Sequence, residues 1–207
     1  MNNLFENIND IDIEKLLKEL EANILTYKKD LTILSTVKNQ NIIGFVIYGF
    51  IQIIKTDYNG NVTVVEDIKE NSIFGSMFSN ISNNEYQIIT KEETKIILLD
   101  YDYIISRNNN SYYNVFIQNL LKITFNKISE KNDRIEILSQ KTIRNKLLKY
   151  LEIQTKKTGS KSIYYSSNNL ASYIAVDRSA MWRELKNLEE DRIIEINNKV
   201  IRVKILN

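Results

Sequence analysis

Five residues in one short stretch, Arg178, Ser179, Trp182, Arg183 and Lys186, carry the most legible chemistry of this sequence. At about 100° per residue they share one side of a helix, and Met181, Leu185 and Leu188 recur on the other. The apolar side predicts burial. The opposite side offers guanidinium, ammonium, hydroxyl and indole groups to solvent or to a ligand. Arginine grips phosphate or reaches a guanine edge, and a helix with such a face fits the major groove of DNA. The competing reading is a small α/β domain whose solvent face is simply polar.

The flanking residues must position that face. Ser166, Ser167 or Asn168 can cap a preceding helix whose Leu170, Ala171 and Ile174 point inward, with Ala171 small enough for a close helix crossing. Val176 reads as a buried turn residue. Asp177 is the natural N-cap of the second helix, which then starts at Arg178 and directs its first residues toward the groove. Beyond Asp191, RIIEINNKVIRVKIL predicts two alternating strands around Asn197-Asn198. That hairpin carries Lys199 and Arg202, which with Lys186 would add salt-sensitive contacts to backbone phosphates, and Ser166 and Ser167 join the same DNA-binding set. Upstream, Lys141 to Lys156 predicts an amphipathic helix through Ile143, Leu147, Leu148 and Leu151, closed by Gly159. The run SIYYS follows as a short strand.

The front of the chain has a different period. Asp10 to Ala22 predicts a short amphipathic helix through Ile11, Ile13, Leu16, Leu17 and Leu20. ILTY, LTILS, IIGFVIYGFIQIIKT, VTVVEDI, YQIIT and TKIILLD are strand-like runs, with a hairpin signal at Tyr58-Asn59-Gly60-Asn61. They imply a small antiparallel barrel or sandwich. A helix from about Ser111 to Ser139 follows. Ile117, Leu121, Thr124, Ile128, Lys131, Ile135 and Leu138 form a coiled-coil-like seam along it, with two polar interruptions. A neighbouring stripe of Tyr113, Phe116, Leu120 and Ile123 would pack on the strands. Two stripes suit a helix that joins its own domain to a second subunit, the alternative being one broad core-facing stripe in a monomer.

Composition narrows the function. The 207 residues contain no Cys and no His, which excludes disulfides, Cys-held iron–sulfur clusters, His-ligated zinc or haem, and Ser-His-Asp or Cys-His catalysis. No paired-acid motif stands out, so the reading is not an enzyme, with no metal and no cofactor. No apolar run approaches the roughly 20 residues that span a bilayer, and the acidic N-terminus is not a signal peptide, so no membrane role and a cytoplasmic location are expected. The net charge of +2 hides a division, with 9 Lys against 16 acids up to Ser106 and 19 Lys plus Arg against 10 acids from Arg107 on. Only the back half is suited to meet a polyanion.

The order of N-terminal helix, strands, long helix and C-terminal helix pair with wing resembles the Crp/Fnr family of bacterial transcription regulators. The specific part is DRSAMWRELKNLEEDRII, from Asp177 to Ile194, which is similar to that family's recognition helix. The resemblance implies an α+β fold: an N-terminal antiparallel β-roll (a cupin-like jelly roll of the cyclic-nucleotide-binding type) at 1–110, a dimerisation helix at 111–139, and a winged helix-turn-helix at 140–207. It implies a homodimer on a palindromic operator in double-stranded DNA, with RNA polymerase as a further partner. Arg178, Ser179 and Arg183 take the positions that contact bases and phosphates. Ser179 stands where many members have Glu, which removes a carboxylate acceptor for cytosine N4, and Trp182 stands where Gly or Ser is usual.

In nucleotide-binding members a Gly-Glu-Leu turn and a following Arg hold the ribose and phosphate. Here the matching turn is Phe74-Gly75-Ser76-Met77-Phe78, and Asn83-Asn84-Glu85-Tyr86 stands near the expected Arg. Gly75, Ser76, Met77, Asn84 and Glu85 thus form a degenerate cassette, in which Glu85 would repel phosphate. The usual cyclic-nucleotide, haem and iron–sulfur inputs are not expected, which leaves an unknown small-molecule effector or none. The alternative function is a winged-helix protein-interaction module without an operator of its own.

Overall fold

The computed structural model describes residues 3–33, 41–60, 62–75, 86–106 and 110–204. It divides into two compact units, Met1–Lys127 and Ile128–Asn207, and the division falls inside the long helix. Among the described residues no helix is long and apolar enough to cross a membrane.

The first unit opens with a single 3-10 turn, Asn3–Phe5, and helix α1, Asp10–Glu19. Asn9 caps α1 by accepting the Asp12 amide at 2.9 Å. Strands β1 (Asn23–Tyr27), β2 (Ile42–Tyr48), β3 (Phe50–Thr56), β4 (Val62–Lys69), β5 (Ile73–Gly75), β6 (Tyr86–Thr90) and β7 (Thr94–Asp100) follow. They build two antiparallel sheets, one in the order β1-β7-β2-β5 and one in the order β4-β3-β6. The long apolar run from Ile42 breaks at Gly49 into β2 and β3, which lie in different sheets.

Alternation along β2 and β7 sorts the core of this unit. Phe45, Ile97 and Leu99 join Leu16, Leu20 and Phe116 in one cluster, while Val46, Ile96 and Leu98 join Ile51, Ile53, Ile68 and Ile88 in another. Helix α2, Tyr101–Ser106, leads from β7 toward α3, Ser111–Leu138. Tyr113, Phe116, Leu120 and Ile123 are buried in the first cluster, and the Asn119 side-chain amide donates to the Leu4 and Glu6 carbonyls at 3.2 and 2.8 Å. On α3 the Lys127 ammonium pairs with Glu66 of β4 at 2.9 Å and donates to the Ile73 carbonyl at 2.5 Å.

The second unit contains the end of α3, helix α4 (Ile143–Thr158), strand β8 (Ser162–Tyr164), helices α5 (Ser167–Tyr173) and α6 (Arg178–Glu190), and strands β9 (Ile194–Asn197) and β10 (Val200–Val203). Gly159 ends α4 in the left-handed region, φ 65°, with its amide on the Thr155 carbonyl at 2.9 Å. The strands pair antiparallel in the order β8-β10-β9, so the wing has three strands where the sequence predicts a two-stranded hairpin with a separate short strand before the helix pair. Leu147, Leu151, Leu170, Ile174, Met181, Leu185, Leu188, Ile194 and Ile201 form the core, joined by Ile137 from α3. Each such aliphatic side chain contributes about 1.5–3 kcal/mol when fully buried. The fold is the α+β arrangement expected, a double-sheet β-roll followed by a winged helix-turn-helix.

Candidate nucleic-acid interface

Helix α6 owes its position to three devices. Asp177 caps it through a carboxylate that accepts the Ala180 amide at 2.9 Å, with φ −62° and ψ 137° at the cap. Met181, Leu185 and Leu188 bury one face completely. Arg144 of α4 reaches across to Glu184 at 3.1 Å and Asp191 at 2.5 Å, and hydrogen bonds to Asp191 first and then Glu184 raise its pKa.

The turn between α5 and α6 is tight. Ala175 sits at φ 50°, a left-handed conformation that costs an alanine about 1–2 kcal/mol. The amides of Ala175 and Val176 close back onto Ser172 and Ala171 at 3.3 and 3.1 Å, and Val176 is half-buried against the core. Two cations hold the end of α5: Lys146 donates to the Ile174 carbonyl at 3.2 Å and Arg134 to the Tyr173 carbonyl at 3.3 Å. Arg134 also lies over the Tyr173 ring, 5.6 Å from its centroid.

The exposed side of α6 presents Arg178, Ser179, Trp182, Arg183 and Lys186, the residues that sequence spacing selects. Arg178 and Arg183 have no acidic partner among the described residues. Lys186 differs from them. Its ammonium is bound to Glu189 at 2.7 Å, which raises its pKa, and it lies 5.6 Å from the centroid of the Trp182 ring. The other Glu189 oxygen accepts the Ile196 amide of β9 at 2.8 Å. Lys186 first, and then that amide, hold the Glu189 carboxylate below its usual pKa. Glu189 therefore clasps α6 to the wing, a role that sequence spacing does not reveal.

Ser166 is exposed at the N-cap of α5, where its carbonyl accepts the Leu170 amide at 2.8 Å and its side chain makes no capping bond. Ser167 is half-buried at the start of α5, close to buried Tyr165, whose pKa is raised chiefly by burial. On the wing, Asn198 turns the hairpin at φ 53°, and the Lys199 carbonyl accepts the Tyr165 amide at 2.9 Å. Lys199 and Arg202 line an open cleft on the sheet together with Tyr164, which is 82% exposed. Glu195, the register partner of Arg202, pairs instead with Lys204 at 3.3 Å. Lys199 and Arg202 have no acidic partner among the described residues.

The seam residues of α3 divide. Leu121, Ile128, Ile135 and Leu138 are exposed, with Ile135 at 65%. Ile117 is half-buried against the first unit's core, and the Thr124 hydroxyl donates to the Leu120 carbonyl at 2.8 Å. Phe125, 63% exposed beside the stripe, is a seam candidate that strict heptad counting passes over.

Of the cassette, Gly75 is described at φ 131°, where a Cβ would lie 2.2 Å from the Ile42 carbonyl oxygen, so only glycine fits. Ser76, Met77, Asn84 and Glu85 lie outside the described residues. Among the described residues no cluster of three or more acidic side chains is placed to hold a metal ion.

No family model and no curated protein matches this sequence. Solved structures do match in fold. CprK complexed with OCPA shares 15% identity over 93% of this chain and 92% of its own, with a TM-score of 0.67. A CooA mutant from Carboxydothermus hydrogenoformans shares 16% identity over 99% and 95%, with a TM-score of 0.63. The c-di-GMP responsive global regulator CLP of Xanthomonas campestris shares 15% over 95% and 100%, with a TM-score of 0.55. These neighbours are Crp/Fnr-family regulators, and the chain has the Crp/Fnr fold.

Proposed function

We propose that this protein is a sequence-specific DNA-binding transcription regulator that acts as a homodimer on a palindromic operator. The observation that carries the reading is the outer face of α6. Two exposed arginines without acidic partners among the described residues stand on a helix whose opposite face is fully buried. Each α6 would enter a major groove, with half-sites about one helical turn apart. Arg178, Ser179 and Arg183 would supply base or phosphate contacts, and Ser166, Ser167, Lys199 and Arg202 would contact the backbone. The exposed apolar residues of α3, Leu121, Ile128, Ile135 and Leu138, would form the seam with a second copy. The domains would be those expected: a β-roll at 1–110, a dimerisation helix at 111–139 and the DNA-binding part at 140–207. RNA polymerase is the expected further partner.

The input would not be the usual one. The first Arg of the chain is Arg107, after the last strand of the β-roll, so no guanidinium on or between those strands answers a cyclic phosphate, and the absence of His and Cys removes His- or Cys-held haem and cluster sensing. An effector of another class, or regulation by expression alone, remains. The test is Arg178→Ala in a gel shift. Specific binding should be lost with circular dichroism and oligomeric state unchanged, and an unaltered site preference would remove Arg178 from the reading role.

A second reading, a winged-helix protein-interaction module, draws on Trp182, since exposed aromatics anchor protein interfaces. Salt separates the two. A DNA regulator loses affinity steeply as salt rises, because each phosphate contact releases counterions.

A further inference from the structure

We propose that Trp182 is a specificity-determining residue that reads the C5 methyl group of one thymine in each operator half-site, an inference that rests on the DNA-binding reading above. Trp182 is 41% exposed and stands one turn after Arg178 and next to Arg183 on the outer face of α6. Those arginines are the groups without acidic partners that a polyanion would draw in, so the indole between them would be carried to the same surface. Once there, it has one N–H donor and two apolar faces to offer. The major groove presents hydrogen-bonding edges and one apolar group, the thymine methyl. The apolar faces of the indole therefore match the thymine methyl, the one apolar group that the major groove presents.

The indole is also held in place. The Lys186 ammonium lies 5.6 Å from the ring centroid, its charge satisfied by Glu189 at 2.7 Å. Glu189 in turn is fixed by the Ile196 amide at 2.8 Å. The chain from wing backbone to carboxylate to ammonium to ring restrains a side chain that has only two rotatable bonds to order. Lys186 thereby serves as a support for the indole, with its charge already spent on Glu189, while Arg178, Arg183, Lys199 and Arg202 remain for phosphate and guanine.

The experiment uses the full chain and the duplex it selects from random DNA. Each thymine of the selected half-site is replaced in turn by deoxyuridine, which lacks only the methyl. The natural protein should lose affinity about fourfold at one thymine, the worth of one methyl group leaving water. Trp182→Ala should bind the thymine and deoxyuridine duplexes equally. Trp182→Phe should keep part of the discrimination. Trp182 lies outside the buried core, so the alanine variant should keep its circular dichroism and its oligomeric state. The proposal is overturned if no deoxyuridine position weakens the natural protein, if Trp182→Ala still discriminates, or if Trp182→Ala binds the thymine duplex as tightly as the natural protein does. Failure to select any duplex is a separate outcome, which refutes the DNA-binding function and this inference with it.

Discussion

Asp177 performs two tasks with opposite consequences, and two substitutions separate them. Its carboxylate accepts the Ala180 amide at 2.9 Å and so satisfies one of the unpaired donors at the start of α6. Its negative charge also stands beside Arg178, where DNA phosphates would approach. Asp177→Ala removes both features. The lost cap costs about 1 kcal/mol, which raises the unfolded-to-folded ratio of the second unit about fivefold. In a unit of under a hundred residues the midpoint of thermal unfolding should fall by about 4–8 °C. Asp177→Ser keeps a capping oxygen and gives up only the favourable charge at the helix N-terminus, worth about 0.3–1 kcal/mol. Amide hydrogen exchange reads this locally: protection at Ala180 should vanish in the alanine variant and persist in the serine variant. Both variants remove the same charge, so both should bind non-specific DNA more tightly than the natural protein at low salt, and by similar factors. Equal stability of the natural protein and Asp177→Ala would refute the capping argument. Weaker DNA binding by Asp177→Ser would refute the placement of phosphate at this end of α6.

Two further perturbations follow from the same geometry. Lys186, and secondly the Ile196 amide, depress the Glu189 pKa, so the clasp stabilises the second unit above the pH at which a free Glu titrates. That stability is lost as pH falls through the depressed value. Glu189→Gln should flatten this acid limb in unfolding curves measured against pH, and by freeing the Lys186 charge it should steepen the salt dependence of DNA binding by about one phosphate equivalent; an unchanged acid limb and salt slope would refute the clasp. On the long helix, Leu121→Lys with Ile128→Lys alters only exposed positions, so the fold should persist while sedimentation shows a monomer in place of a dimer. A dimer that survives both changes would place the seam elsewhere.

The second unit was the more legible part because its signals are local. Met181, Leu185 and Leu188 at helical spacing are all fully buried, and Asp177 and Gly159 are the caps that their chemistry requires. What escaped the sequence depends on contacts distant along the chain. β8 joins the wing through pairing with β10, and nothing within SIYYS announces that partner. The pairing of Lys186 with Glu189, which is itself anchored on the Ile196 amide, is likewise not written in the spacing. The run from Ile42 to Thr56 reads as one strand-like segment because apolar alternation does not record a change of sheet at Gly49. Strand β5 and helix α2 are too short to carry a period of their own. On α3 helical counting selects Leu121, Ile128, Ile135 and Leu138, which are exposed, but it does not foresee that Ile117 is half-buried against the first unit's core or that Phe125 is exposed.

If the outer face of α6 reads a DNA sequence as part of a symmetric dimer, selection from random double-stranded DNA at moderate salt will reveal it. Enrichment of an imperfect palindrome whose half-sites lie about one helical turn apart is the expected result. A pool that remains without any enriched palindrome, or that is retained only at low salt, would contradict it.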